Sequence, residues 1–257
     1  VKAIVITRDR LSYTQRCVSV LAGTPGITDI HVVDHGSTYE PMTKWLGAVA
    51  GSRASITFPV DGGATSGPRL HVHWRGNAHP RDLWAPPGGI HPGLTDIVQP
   101  GERFLVTDCD VEPPADPGWL AHLGALLDAN PDAVKAGCGL ITDDLPDHYE
   151  YADRVRMWEA RYQGFGTLRR DSASGLAWYD ASVDTTLALY RELGPFALDP
   201  SVRSADARFM ARHLSWYEDS ANLTPEIEYY RANAMNGVSM WADPDGYQGT
   251  YGLPDGA

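Results

Sequence analysis

The chain has 257 residues, of which 43% are hydrophobic, enough for a well-buried core and too many for a disordered or fibrous protein. Its formal net charge of −12 excludes a surface built for nucleic acid or for an anionic membrane, so a polyanionic ligand has to be held by local cations or a metal ion. A run of about 18 apolar residues that could form a transmembrane segment is absent. Cys17, Cys109 and Cys138 fit neither a zinc motif nor a disulfide framework, and the expected location is cytoplasmic.

Ala3-Ile4-Val5-Ile6 and Ile30-His31-Val32-Val33 are short apolar runs, and the residues between them recur at helical spacing from Tyr13 to Leu21. This predicts strand, helix, strand. The right-handed crossover rule makes the two strands parallel and brings Thr7-Arg8 and Asp34-His35-Gly36-Ser37-Thr38 to one sheet edge, where α/β folds collect ligands. A helix from about Tyr39 to Val49 and a strand around Ile56-Thr57-Phe58 continue the winding. The stretch 61–100, rich in Gly, Pro, His and Trp, reads as a long functional loop without a regular element.

Phe104-Leu105-Val106-Thr107 then runs as a buried strand into Asp108-Cys109-Asp110, two acids spaced i, i+2. Carboxylates leaving a strand together can hold Mg²⁺ or Mn²⁺ with positions open for phosphate oxygens, or they can cap a polar turn. A helix is expected from Pro117-Gly118-Trp119 to about Asn130, a strand over Val134 to Ile141, a helix over Tyr149 to Tyr162 and a strand over Val183 to Tyr190. The last forty or so residues are aromatic and lack clear periodicity. With no internal repeat, the chain is expected to form one domain over 1–257, with a nucleotide-binding part over about 1–112 and a sugar- and acceptor-binding part over about 113–257.

Several residue groups suit the handling of a phosphorylated ligand. Asp34 can accept from a base or ribose, beside Thr7 and Arg8, or it can close its own Asx turn. Arg75, Asn77, Arg81 and Trp84 gather guanidinium forks, an amide and an indole within ten residues, and a loop pinned by Trp84 would look the same. His213 can share a cation with Asp110, provided the fold brings them together. A carboxylate base is offered by Asp184, first, then Asp180, with Asp206, Glu218 and Asp219 left open.

Taken in order, Thr7-Arg8, Asp34-His35-Gly36-Ser37 and Thr107-Asp108-Cys109-Asp110-Val111 followed by Pro113 and Pro114 resemble the GT-A glycosyltransferases of the family 2-like branch. Blocks at 77–84, 135–146, 155–159, 184–190 and 211–217 are similar to a subgroup of it, so the resemblance runs over most of the chain. It implies an α/β GT-A (Rossmann-like) domain with a mixed, mostly parallel central sheet flanked by helices. It also implies a nucleotide-diphosphate sugar as donor, UDP-sugar favoured, Mn²⁺ or Mg²⁺ held by Asp108, Asp110 and His213, and inverting transfer to a glycan, protein or lipid-linked acceptor. His35 departs from it, standing where many members carry a second acid. On this reading Asp110→Ala abolishes metal-dependent transfer and leaves folding nearly intact. Two other functions fit parts of the sequence. A sugar-phosphate nucleotidyltransferase would need a Gly-rich phosphate loop after the first strand, and Arg8-Asp9-Arg10-Leu11 has no glycine; a non-catalytic carbohydrate-binding protein would use the eight Trp and twelve Tyr.

Overall fold

The computed structural model describes residues 1–51, 67–76, 80–84, 93–163 and 167–234. Strand β1 (Lys2–Thr7) leads through helix α1 (Leu11–Ala22) to β2 (Asp29–Asp34), and α2 (Glu40–Gly51) and β3 (Arg69–Trp74) follow. The three strands pair in parallel, and β4 (Phe104–Asp108) joins β1 in parallel on its other side. Helix α1 forms because Thr14, Cys17, Val18 and Leu21 recur on one buried face. Beyond β4 come a short β5 (Val111–Glu112), α3 (Trp119–Ala129), β6 (Lys135–Gly137), β7 (Gly139–Leu140) and α4 (Ala152–Gln163). The chain then adds β8 (Thr167–Arg170), β9 (Ala177–Asp180), β10 (Ala188–Tyr190), β11 (Ser201–Ser204), β12 (Met210–His213) and α5 (Pro225–Asn233).

The main sheet has the order β3-β2-β1-β4-β10-β6-β11-β9-β8, a large mixed sheet flanked by helices, as expected. Parallel pairs dominate from β3 to β4, whereas β10 runs against both its neighbours and β8-β9-β11 is antiparallel. One face packs Ala3, Val5, Ile30, Val32, Leu105 and Leu189 against α1, α2 and α3, including Leu123, Leu126 and Leu127. The other face packs Ile4, Ile6, Val33, Phe104 and Val106 under Leu83, Leu94, Ile97 and Val98. A second sheet, β5-β12-β7, sits at the C-terminal edge.

Three expectations change, and a fourth falls outside the described residues. The stretch 61–100 does hold a regular element, β3, whose Leu70 and Val72 alternate with His71 and His73 at the strand period of two; the Gly- and Pro-rich composition around it outweighs this short signal. The strand expected at Ile56-Thr57-Phe58 lies outside the described residues, and β3 takes the place beside β2. The run Val134 to Ile141 divides into β6 and β7, which enter different sheets. A Cβ on Gly137 would stand 2.6 Å from Cγ1 of Val183, so glycine is required for that close approach. The run Val183 to Tyr190 is strand only over β10, because Leu187 takes a left-handed φ of 46° just before it.

Helix α5 was not foreseen in the C-terminal stretch, although it has local causes: Thr224 accepts from the Ile227 amide at 3.3 Å, Pro225 opens the first turn, and Glu226 and Glu228 suit the positive end. Its Glu226 accepts from the Ser12 amide and hydroxyl, which fastens α5 to the start of α1. Among the described residues no helix is long and apolar enough to cross a membrane.

Candidate active site

Since β2 lies on one side of β1 and β4 on the other, the loops after β1 and β4 diverge and leave a crevice at the C-terminal edge. The loop after β1 is Arg8-Asp9-Arg10, and that after β4 is Cys109-Asp110. Asp9 is fully buried at a left-handed φ of 53°, with Oδ1 accepting from the amides of Thr38 and Tyr39 at 2.6 and 2.7 Å. This caps the start of α2 and turns the chain so that Arg10 points inward.

Arg10 donates through Nη1 to Oδ2 of Asp110, lies 3.9 Å from Oε1 of Glu218, and stacks its guanidinium 3.9 Å from the centre of the Tyr230 ring. Asp110 also accepts from Ser215 Oγ at 2.8 Å. Burial opposes the charge on Asp110, but His213 and Arg10 outweigh it and hold the carboxyl below its usual range. The second sheet explains how His213 arrives: β12 pairs with β5 so that His213 faces Val111, and the Leu214 amide donates to the Asp110 carbonyl at 2.6 Å. His213 Nδ1 then stands 3.7 Å from Asp110 Oδ2, with its ring stacked on Trp216 at 4.6 Å. His213 thus stands next to Asp110, with its Nδ1 also 2.8 Å from Ser215 Oγ.

Asp108 sits on the other side of this turn, and both its oxygens accept from Thr185 Oγ1 at 3.0 Å. Burial, then the negative charges of Asp110 and Asp184, push its carboxyl up to about 8. Asp108, Asp110 and Asp184 repel one another here with an imidazole alongside, a carboxylate-rich set whose chemistry suits Mn²⁺ or Mg²⁺. Among the described residues their ligand atoms do not all lie within 4.8 Å of one another, so an ion would have to draw them together. Arg10 already neutralises one oxygen of Asp110, so the residues that could hold an ion are Asp108, the rest of Asp110 and His213.

Asp184 and His213 also line a cleft walled by Trp158, Tyr162 and Trp216, with the buried Arg203–Glu159 ion pair at 2.5 Å beneath. Aromatic walls around a few charged groups suit a sugar ring, whose C–H face stacks while its hydroxyls bond. Behind Asp184, fully buried Lys135 donates to the Asp184 carbonyl at 3.4 Å and to Tyr190 Oη at 3.2 Å, and burial lowers its amine to about 8.

The other expected site residues are placed as follows. Thr7 spends its hydroxyl on Thr14 at 2.7 Å, and Arg8 donates to the Asn233 carbonyl at 3.0 Å. Asp34 closes its own turn, accepting from the amides of Gly36 and Ser37 and from the Ser37 hydroxyl, and is 1% exposed. Arg75 is turned to Asp96, at 2.7 Å to both oxygens, and Trp84 packs against Tyr190 and Phe196. Arg81 lies over Phe196, near enough to Lys135 to lower its amine. Asn77 lies outside the described residues. Asp180 is bound by Arg169 at 2.8 Å and by the Trp178 indole at 3.2 Å, and it is not among the cleft residues. Sequence reasoning missed Asp9, Arg10, Thr185, Lys135 and the Arg203–Glu159 pair; only the charged triplet Arg8-Asp9-Arg10 at a strand end carried a visible signal.

No protein-family model matches the chain, and no curated protein matches it. Among solved structures it is similar to S. aureus TarS 1–349, at 12% identity and a TM-score of 0.45, over 83% of this chain and 60% of that one. It is also similar to a galactosyltransferase LgtC solved with donor and acceptor sugar analogues (16% identity, TM-score 0.31, 74% of this chain and 58% of that one). A third is the glucosyl-3-phosphoglycerate synthase of Mycobacterium tuberculosis (14% identity, TM-score 0.34, 74% and 56%). The chain thus spans less than two thirds of each of these proteins.

Proposed function

We propose that this chain is a GT-A glycosyltransferase that moves a hexosyl group from a nucleotide-diphosphate sugar, UDP-sugar favoured, to an acceptor hydroxyl with inversion. The observation that carries the reading is the placing of Asp108 and Asp110 at the end of β4, with His213 3.7 Å from Asp110 and with both His213 and Asp184 lining the neighbouring aromatic cleft. The donor's diphosphate lies over the loops after β1 and β4, and its sugar enters the cleft between Trp158, Tyr162 and Trp216. Asp108 and Asp110, with His213, are the residues that would hold Mn²⁺ or Mg²⁺. Bound there, the ion supplies charge neutralisation to the departing diphosphate.

Asp184 is the proposed base: it faces the same cleft and takes the proton from the acceptor hydroxyl as that oxygen attacks the anomeric carbon. Asp180, with Arg169 and Trp178 bound to its carboxylate, is less suited. The Arg203–Glu159 pair keeps the cleft floor polar without adding net charge, which suits a neutral sugar. Nucleoside contacts are assigned to the ends of β1 and β2, where Asp34 already accepts from Ser37 and Arg8 already donates to the Asn233 carbonyl, so a nucleoside would have to compete with these bonds. Three buried, unbridged cysteines suit a reducing compartment, and a cytoplasmic enzyme is proposed on that basis.

The test is calorimetry with UDP, GDP and CMP, each with and without Mn²⁺, followed by donor-hydrolysis assays over a panel of nucleotide-sugars. Metal-dependent affinity for one nucleoside diphosphate and turnover of one of its sugars are expected. Sugar binding indifferent to nucleotide and metal would replace the reading with a carbohydrate-binding protein, and turnover of a nucleoside triphosphate with a sugar phosphate would replace it with a nucleotidyltransferase.

A further inference from the structure

On the face of β2 and β3 turned away from α1 and α2, one nitrogen each of His31 and His71 and one carboxylate oxygen of Asp29 lie within 4.8 Å of one another. The register produces this: His31 and His71 are direct partners across the parallel pair, and Asp29 is two residues before His31, hence on the same face. His31 is 7% exposed, and its Nε2 is buried with no hydrogen-bond partner among the described residues. A buried imidazole nitrogen without a partner costs free energy unless something supplies one.

The surrounding charges favour the tautomer in which His31 carries its lone pair on Nε2. Arg75 holds Asp96 bidentately, Asp96 faces Nδ1 of His73 at 4.0 Å, and Nε2 of His73 stands 2.9 Å from Nδ1 of His31. A proton on His73 Nδ1, facing the carboxylate, makes His73 Nε2 the acceptor and His31 Nδ1 the donor. That leaves His31 Nε2 as an unprotonated, buried donor atom, oriented from behind as metal-ligating imidazoles usually are. His71 Nε2 meanwhile lies 3.2 Å from Asp29 Oδ1, a separation at which an ion can replace the shared proton. Arg69 also touches Asp29 Oδ1, at 2.8 Å, but its side chain is 69% exposed and can turn to water.

We propose that Asp29, His31 and His71 form a site for a first-row transition-metal ion of the Zn²⁺ class, distinct from the proposed donor site and cross-linking the edge strand β3 to β2. Two imidazoles and one carboxylate select Zn²⁺, Co²⁺ or Ni²⁺ over Mg²⁺ and Ca²⁺, which favour all-oxygen shells. His71, whose side chain is 40% exposed, leaves one side open for a water ligand and supplies the way in. The rings of His31 and His71 are stacked at 4.5 Å and 12°, so binding turns the more exposed His71 ring toward the ion. His31 and Asp29 lie three and five residues back from Asp34, roughly 10 and 17 Å at about 3.3 Å per residue, at the far end of β2 from the proposed active site.

The experiment uses the whole chain without a histidine tag, stripped with a chelator and titrated with Zn²⁺, Co²⁺ and Mg²⁺. Expected are one Zn²⁺ bound per chain, a rise in Tm with Zn²⁺ but not with Mg²⁺, and a visible Co²⁺ spectrum of low-coordinate form. His71→Ala, at an accessible position, should keep the metal-free Tm within about 2 °C and weaken Zn²⁺ binding at least tenfold. Asp29→Asn should weaken it as well, and Zn²⁺ should still bind to an Asp110→Asn variant. Zn²⁺ affinity unchanged in both His71→Ala and Asp29→Asn, or absence of a Zn²⁺-dependent shift in the unaltered chain, would overturn the site.

Discussion

Arg10 and Asp110, separated by a hundred residues in sequence, form a buried ion pair in which the guanidinium Nη1 donates to Oδ2 of the second acid of the Asp-x-Asp turn. The side chains are 9% and 10% exposed, and Glu218 and the Tyr230 ring complete the surroundings of the cation. This alters what an alanine at 110 should do. On sequence grounds Asp110→Ala leaves folding nearly intact. In the structure it strips the principal partner from a buried arginine, and breaking such a pair costs about 3–5 kcal/mol. Urea denaturation should show that loss for Asp110→Ala and a smaller one for Asp110→Asn, which keeps a hydrogen-bond acceptor. An unchanged midpoint in Asp110→Ala would mean that the pair does not form in solution.

Asp108 offers the complementary case. Among the described residues it makes no salt bridge, and burial with the charges of Asp110 and Asp184 outweighs the nearby charge of Arg10 and raises its carboxyl to about 8. Asp108→Asn should therefore fold as well as the unaltered chain, or better at pH 8, while transfer falls at least a hundredfold. Circular dichroism beside a donor-hydrolysis assay separates the two effects. Retained turnover in Asp108→Asn would remove this residue from the reaction.

The parallel half of the fold was legible because Ala3 to Ile6, Ile30 to Val33 and Phe104 to Thr107 are apolar runs with helical spacing or a turn between them. The Asp-x-Asp turn was legible for the same reason, since a strand end fixes where its next residues emerge. Arg10 was not. Its role depends on α5 and β12 closing over it from residues 210–233, a contact without local trace in either segment. Strand β3 carries a legible alternation, Leu70-His71-Val72-His73-Trp74, but it is short and set in a Gly-, Pro- and His-rich stretch whose composition reads as loop. Asp34 and Trp84 were each open to two readings, and the local one describes their contacts: a turn closed by Ser37 and a loop pinned on Tyr190 and Phe196.

Lys135 provides a pH test outside the reacting groups. Its amine is lowered from 10.5 to about 8 by burial, with Asp184 and Asp199 opposing. Between pH 8 and 10.5 the unfolded chain binds more protons than the folded one, so stability rises with pH across that window. At pH 7 the buried charge costs about 3 kcal/mol by the same shift. Lys135→Met should raise the denaturation midpoint at pH 7 and flatten the slope between pH 8 and 10.5. A slope identical to that of the unaltered chain would show that Lys135 titrates normally.

Trp158 tests the sugar-binding role of the cleft independently of charge. It lines the cleft from α4 and is half-buried, so truncation removes ring area without creating a buried unpaired charge. If the indole stacks on the sugar in ground and transition state alike, Trp158→Ala raises KM about tenfold and leaves kcat within about threefold. A loss confined to kcat would place Trp158 in orienting the reacting groups rather than in holding the ring.

Asp184 should behave in the opposite way. The proposed base would act only while the acceptor proton is in flight, so Asp184→Asn should lower kcat by a factor of 10² to 10⁴ and leave donor KM nearly constant. Because its charge raises the Asp108 carboxyl, the same variant should also lower that group toward the usual carboxylate range, extending metal-dependent nucleotide binding to lower pH. The two readouts are independent. A drop in kcat without the shift in the binding profile would put Asp184 at the acceptor but not beside Asp108, and the shift without the drop would make it an electrostatic neighbour and leave the base to another carboxylate.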